Sequence, residues 1–230
     1  MSGLRIFGDA SAPTKKKFQD DVVGRFRSGY VANKRPVALT EWRVTTGDPE
    51  VADAVAEILD GGEPQNWEAS GEDNLETFTK ASEVDIVIEN AGALRQAMIL
   101  WGRNGKIIRK SDGETIQYPE ESKGEPDPQA GQTLAERKAA AKEGTGAEPQ
   151  IELFFRLAAN PDLGIFKFQS GSWSLASDLA YHGVAEALEA ADGPVKARLK
   201  LEPVEFTAKS GPRAGQLVSY TKPFIEIVEG

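Results

Sequence analysis

At 230 residues, 40% of them apolar, and with a net charge of −9, the chain is long enough for one large domain or two small ones and can build a core. It has no cysteine and a single histidine, His182, which excludes a disulfide frame, an ordinary zinc site and a triad with a separate base. No run approaches the roughly 20 apolar residues of a membrane span, and residues 1–12 lack the apolar centre of a secretory signal, so a cytoplasmic protein is expected.

In chain order, Leu4–Phe7 is a short apolar piece and Lys15–Lys17 a solvated triplet; together they make residues 1–20 a flexible N-terminal segment. Residues 21–230 read as one α+β domain. Asp21–Tyr30 mixes aromatics with arginines around Gly24 and Gly29, giving either a contact loop or a strand that buries Phe26. Val37–Thr46 is β-branched and holds Trp42, which predicts a strand. Asp48-Pro49-Glu50 opens a helix over 48–60 with Val51, Val55, Ile58 and Leu59 on one face, and Gly61-Gly62 closes it. Trp67 stands in an acidic loop that ends near Asn74. Two strands follow, Glu76–Ala81 and Val84–Glu89. Met98–Arg103 and Lys106–Arg109 flank Asn104-Gly105, the signature of a type I′ hairpin, whose tip is basic with Trp101 nearby.

Residues 111–150 are rich in Pro, Gly and Glu and read as an insertion or linker across the fold, with a capping box at Thr133–Glu136 opening a short helix through Lys142. The pattern is strongest after that. Ile151–Leu157 alternates with Ile151, Leu153, Phe155 and Leu157 on one side, Asn160–Gly164 turns, and Ile165–Gln169 puts Phe166 and Phe168 on one face. A helix over 173–191 then presents Ala176, Leu179, Ala180, Gly183, Val184 and Ala187 on one arc, capped by Ser172 or Ser174 and stopped by Gly193-Pro194. Val195–Leu201 alternates, Pro203 interrupts, Val204–Phe206 continues to a turn over 210–215, and Leu217–Val228 closes with Pro223 at an edge or bulge. The fold class is therefore α+β: an antiparallel sheet core, barrel-like in one version, with helices at 48–60 and 173–191.

Charge is unevenly spread. Residues 1–43 carry +5, residues 44–93 hold thirteen acids against Lys80 alone, and residues 94–110 carry +5 with no acid. A domain that grips duplex DNA unaided shows a dominant basic face. Here the largest block is acidic, which points to a protein partner instead. No pair of carboxylates is set apart by spacing and apolar surroundings, and there is no phosphate-cradling Gly motif, G-x-S-x-G elbow or calcium loop. No catalytic, cofactor or metal residue is predicted, and His182 reads as a charge-paired helix face between Asp178 and Glu186. Exposed aromatics beside charge dominate interfaces, so the candidate contact residues are Phe26, Arg27, Tyr30, Trp67, Trp101 and Arg103; Trp42, Phe166 and Trp173 are assigned to the core.

Five ordered stretches carry a resemblance: residues 21–30 (DVVGRFRSGY), 36–52 (PVALTEWRVTTGDPEVA), 100–105 (LWGRNG), 137–142 (RKAAAK) and 155–175 (FRLAANPDLGIFKFQSGSWSL). Together they resemble the recombination directionality factors of Streptomyces and related actinobacterial temperate phages. The resemblance implies a non-catalytic control protein that binds a large serine integrase and switches it from attP × attB integration to attL × attR excision. It implies the integrase's coiled-coil and zinc-domain region as partner, DNA reached only through the integrase, no membrane, and a bacterial cytoplasm. It implies no cofactor; residues 125–134 lack the cysteines that some family members carry there. Two other classes compete. Trp101 with Arg103, Lys106 and Arg109, and Phe26 with its flanking arginines, suit an OB-like single-strand nucleic-acid-binding accessory protein. A phosphoesterase-like enzyme is disfavoured by the single histidine.

Overall fold

The computed structural model describes residues 22–32, 35–67, 71, 73–209 and 214–228. The expected N-terminal segment with its lysine triplet, Asp20 and Asp21, and most of the turn over 210–215 lie outside them.

Alternation of small or charged residues with large apolar ones makes strands β1 (Val22–Ala32) and β2 (Arg35–Thr46), which bury Phe26, Trp42 and Val44. Helix α1 (Pro49–Ile58) follows, its first turn held by the Asp48 carboxylate accepting from the Glu50 amide at 2.9 Å. The left-handed residue after it is Asp60, with φ of 48°, and not the glycine pair. Then come β3 (Gln65–Asn66), β4 (Leu75–Phe78), β5 (Glu83–Ile88), β6 (Leu94–Trp101), β7 (Ile107–Ser111) and β8 (Ile116–Tyr118). Helix α2 (Leu134–Lys142) has the predicted capping box in full. After it run β9 (Glu148–Leu157), β10 (Ile165–Ser170), α3 (Trp173–Tyr181), α4 (Val184–Ala190), β11 (Val195–Thr207) and β12 (Leu217–Ile227).

The strands form one mixed sheet in the order β12-β11-β5-β9-β10-β1-β2-β4-β3, with β6, β7 and β8 branching from β9. The α+β class is as expected. Two features differ from the expected antiparallel, barrel-like core. First, β1 pairs with β10 in parallel, because β10 is the return arm of the β9–β10 hairpin and meets β1 running the same way. Second, the ladder order is open. The chain between β4 and β5 approaches both ends: Trp42 donates to the Ala81 carbonyl at 2.8 Å, Thr79 to Trp42 at 3.0 Å, and Leu201 to Ser82 at 2.8 Å. The sheet curls without its end strands joining.

Inside the curl, Phe26 meets Trp42, Phe155 and Phe166 edge-on, and Trp42 meets Phe168. Ile86, Leu153, Leu157 and Leu199 complete this cluster. Gly24 lets β1 reach it: a Cβ there would stand 3.0 Å from the Phe166 ring and 3.2 Å from the Thr45 carbonyl.

The single helix expected over 173–191 is two. Gly183 takes a left-handed φ of 60°, so the chain turns there and the apolar arc restarts. Leu175, Leu179, Val184 and Leu188 are the buried residues, while Ala180 and Ala187 face outward. Ser172, of the two candidates, is the cap. Trp173 is only half-buried, with Lys138 Nζ 6.0 Å from its ring, which corrects its assignment to the core.

Residues 111–147, within the expected insertion, carry a small polar core. Arg109 donates to Gln129 at 2.7 Å and lies 3.2 Å from Asp127; the Ala147 amide donates to Gln129 at 2.9 Å. Asp127 and Gln129 are buried, with Ile116, Ala141 and Ala147 close to fully so. The long Arg109 side chain of β7 thus holds this segment where apolar residues are few. Pro203 does not interrupt β11, since β5 has left that edge by then and no ladder bond is needed there. β12 is an outer strand, which accommodates Pro223.

Candidate partner-binding surface

The outer face of the sheet is set by the same alternation that builds the core. Arg25 and Arg27 flank Phe26, and Arg43 and Thr45 flank Val44, so the charged residues share the side away from the aromatic cluster. Register then places Arg27 opposite Arg43, Arg25 opposite Thr45 and beside Lys167, and Arg43 opposite Phe78. Four cations at strand spacing repel unless met. Asp73 pairs with Arg25, Glu76 accepts from Arg43 Nε at 2.6 Å, and Glu152 accepts from Lys167 at 2.7 Å. Arg27 differs: its Nε donates to the Thr45 hydroxyl at 2.9 Å, a neutral partner. Burial pushes its guanidinium pKa down, with Arg43 and then Arg25 acting the same way against Asp73.

Trp67 lies over this cluster. Its ring sits 4.4 Å from the Arg43 guanidinium carbon and 5.5 Å from that of Arg27, and its indole N–H donates to the Asp73 carbonyl at 2.6 Å. Arg43 is 4% exposed as a result, though it points outward. Tyr30, 38% exposed, meets Phe78 edge-on at 6.3 Å.

Of the six predicted contact residues, the structure brings Arg27, Tyr30 and Trp67 together on this face. Trp101, 43% exposed, and Arg103 stand apart on the β6–β7 hairpin. That hairpin is not type I′. Of its two turn residues only Gly105 has positive φ (73°), Gly105 donates to the Gly102 carbonyl and Gly102 to that of Lys106, which gives a three-residue loop, and the register shift between Leu100 and Trp101 leaves Ile108 as the extra residue on β7. Phe26 is a correction: at 2% exposed it is core, because the strand's alternation turns it away from its arginine neighbours. Arg25, Arg43, Glu76 and Phe78 were missed. The alternation in residues 25–27 and 42–45 carried the signal, but their meeting depends on strand register.

The acidic block is spread over several elements. Glu50, Asp53 and Glu57 line the exposed side of α1, while Asp85 and Glu89 are paired with Arg198 and Arg156. Across β5, β11 and β12, Lys200 holds Glu226 at 2.8 Å. His182 is exposed, its ring 5.0 Å from Tyr181 and 5.3 Å from Phe224; Asp178, its expected neighbour, pairs with Lys222 at 2.7 Å. Among the described residues no group of three or more His, Cys, Asp or Glu is placed to hold a metal ion, and no helix is long and apolar enough to cross a membrane.

Guanidinium groups, stacked rings and paired carboxylates on a rigid sheet can position, orient and hold another molecule. Such a face is suited to recognition by contact. The chain belongs to the Gp3-like family, described as recombination directionality factor-like, whose family model matches residues 23–227. The match takes in every described strand and helix almost from end to end. It supports a role related to recombination. No solved structure matches the chain.

Proposed function

We propose that this protein is a recombination directionality factor that binds a phage large serine integrase and switches it from attP × attB joining to attL × attR excision. The observation that carries the proposal is the family match over residues 23–227. The integrase supplies the nucleophile and all bond chemistry; this chain acts in the bacterial cytoplasm by adhering to it. The coiled-coil and zinc-domain region of the integrase is the proposed contact, with DNA touched only through the integrase. The face of Arg27, Tyr30 and Trp67, and the hairpin of Trp101 and Arg103, are the proposed contact residues.

The mechanism is linkage. A protein that binds one DNA-bound arrangement of the integrase more tightly than another shifts the balance between them by that difference in affinity. A difference of about 1–3 kcal/mol, the usual size of such coupling, changes relative synapsis by roughly 5- to 150-fold. The exposed acids of α1 favour approach to a basic recombinase, raising the association rate more than the final affinity.

Purified protein added to the cognate integrase in vitro should activate attL × attR and inhibit attP × attB. An unchanged outcome on both substrate pairs refutes the proposal. Salt-sensitive binding to single strands with no integrase present would favour the nucleic-acid-binding alternative instead.

A further inference from the structure

β1 outruns β10. Their parallel ladder ends where Phe26 lies opposite Phe168. β10 stops at Ser170 and the chain turns into α3, whereas β1 continues to Ala32 with β2 along its other edge. From Ser28 to Val31, the edge facing away from β2 therefore has no strand partner among the described residues. An unpaired edge is a template for another strand. Here it borders a concavity of about 630 Å³, with Arg27, Tyr30 and Val31 on one wall and Gln169, Ser170 and Gly171 on the other. Val31 is 72% exposed.

The charge at this groove selects its occupant. Arg25 is engaged by Asp73 and Lys167 by Glu152, while Arg27, hydrogen-bonded to the neutral Thr45 hydroxyl and 5.5 Å from the Trp67 ring, has no carboxylate partner of its own among the described residues. A guanidinium offers a two-pronged donor to a carboxylate. We infer that the groove binds an extended, acidic segment of a protein partner, which adds to the open edge of β1 as a strand and presents a carboxylate to Arg27. Backbone pairing supplies the affinity and Arg27 the selection for acid. A nucleic acid fits less well. It needs several unspent cations along its backbone, and the chain's net charge of −9 opposes it. The inference stands whichever protein supplies the segment.

The test uses the full chain and an end-blocked, fluorescein-labelled peptide of about eight residues, a typical strand length, alternating valine and aspartate. The controls are the same peptide with lysine for aspartate, and oligothymidylate. The aspartate peptide should bind saturably and slow amide hydrogen exchange over residues 28–31. Arg27→Ala should weaken it roughly tenfold, as loss of a charge-assisted bond does. Val31→Glu, at an exposed position, should also weaken it with the melting temperature unchanged. Should Arg27→Ala fail to fold, Val31→Glu decides alone. The inference is overturned by absence of saturable binding, by binding that leaves exchange at 28–31 unchanged, or by equal or better binding of the lysine peptide or the oligothymidylate.

Discussion

Replacing Phe26 separates the core from the contact surface more sharply than any other change. The ring is 2% exposed and stands 5.7, 5.2 and 5.6 Å from the rings of Trp42, Phe155 and Phe166, each edge-on. Truncating a buried phenylalanine to alanine costs about 3–5 kcal/mol. Three edge contacts, each worth about 0.5–1.5 kcal/mol beyond burial, place Phe26→Ala toward the upper end. Phe26→Leu keeps most of the volume and loses the rings' contacts, so about 1–2 kcal/mol is expected. Against a total of about 5–15 kcal/mol, the alanine variant loses a third of its stability or more. Urea denaturation followed by tryptophan fluorescence reports this directly, since Trp42 abuts the site: the midpoint should fall with the slope unchanged. A loss below about 1 kcal/mol for alanine, accompanied by lost partner binding, would show that Phe26 meets the partner and refute its place in the core.

Arg43→Ala should cost about 3 kcal/mol, because it strands the largely buried Glu76 and removes the cation under Trp67. The Arg43→Ala/Glu76→Ala double variant should recover part of that loss, and strict additivity in a double-mutant cycle would disprove the coupling. Thr133→Ala breaks the capping box and should cost about 1 kcal/mol, seen as faster amide exchange over 134–142. Unchanged exchange there would count against it. The Lys200 hydrogen bond holds the Glu226 pKa below its ordinary value of 4.5, so this pair's stabilisation is fully present above that value and lost as pH falls through the lower folded one. Lys200 is raised above 10.5, chiefly by the same bond, so its share is lost as pH rises past that raised value. The melting temperature should decline on the acid side, and Glu226→Gln should flatten the decline; an equally steep fall in the variant would show that other carboxylates cause it.

Local chemistry was legible where one segment decides its own structure. Asp48 before Pro49, the Thr133–Glu136 box and the alternation of Ile151–Leu157 each name their element because the deciding contacts lie within a turn or two. The parallel meeting of β1 with β10 was not legible, since no local pattern states which strand a given edge will find. Arg43 shows the same limit at the surface. Its place opposite Phe78 could be written down only after β4 had been aligned, and its burial comes from Trp67, more than twenty residues away. Gly183 was misjudged for a different reason: its spacing fits a continuing helical arc, and only its positive φ reveals a break.

The parallel contact of Phe26 with Phe168 joins residues roughly 140 apart, which makes the docking of β1 on β10 a late event in folding. While the chain is being synthesised, the β1–β2 hairpin must wait with its aromatic side uncovered until residues 165–170 have emerged from the ribosome. During that interval the nascent chain exposes two adhesive features at once, an apolar face and an unsatisfied backbone rim. Yield in the cell should therefore depend on chaperone supply and growth temperature more than the finished protein's stability alone suggests.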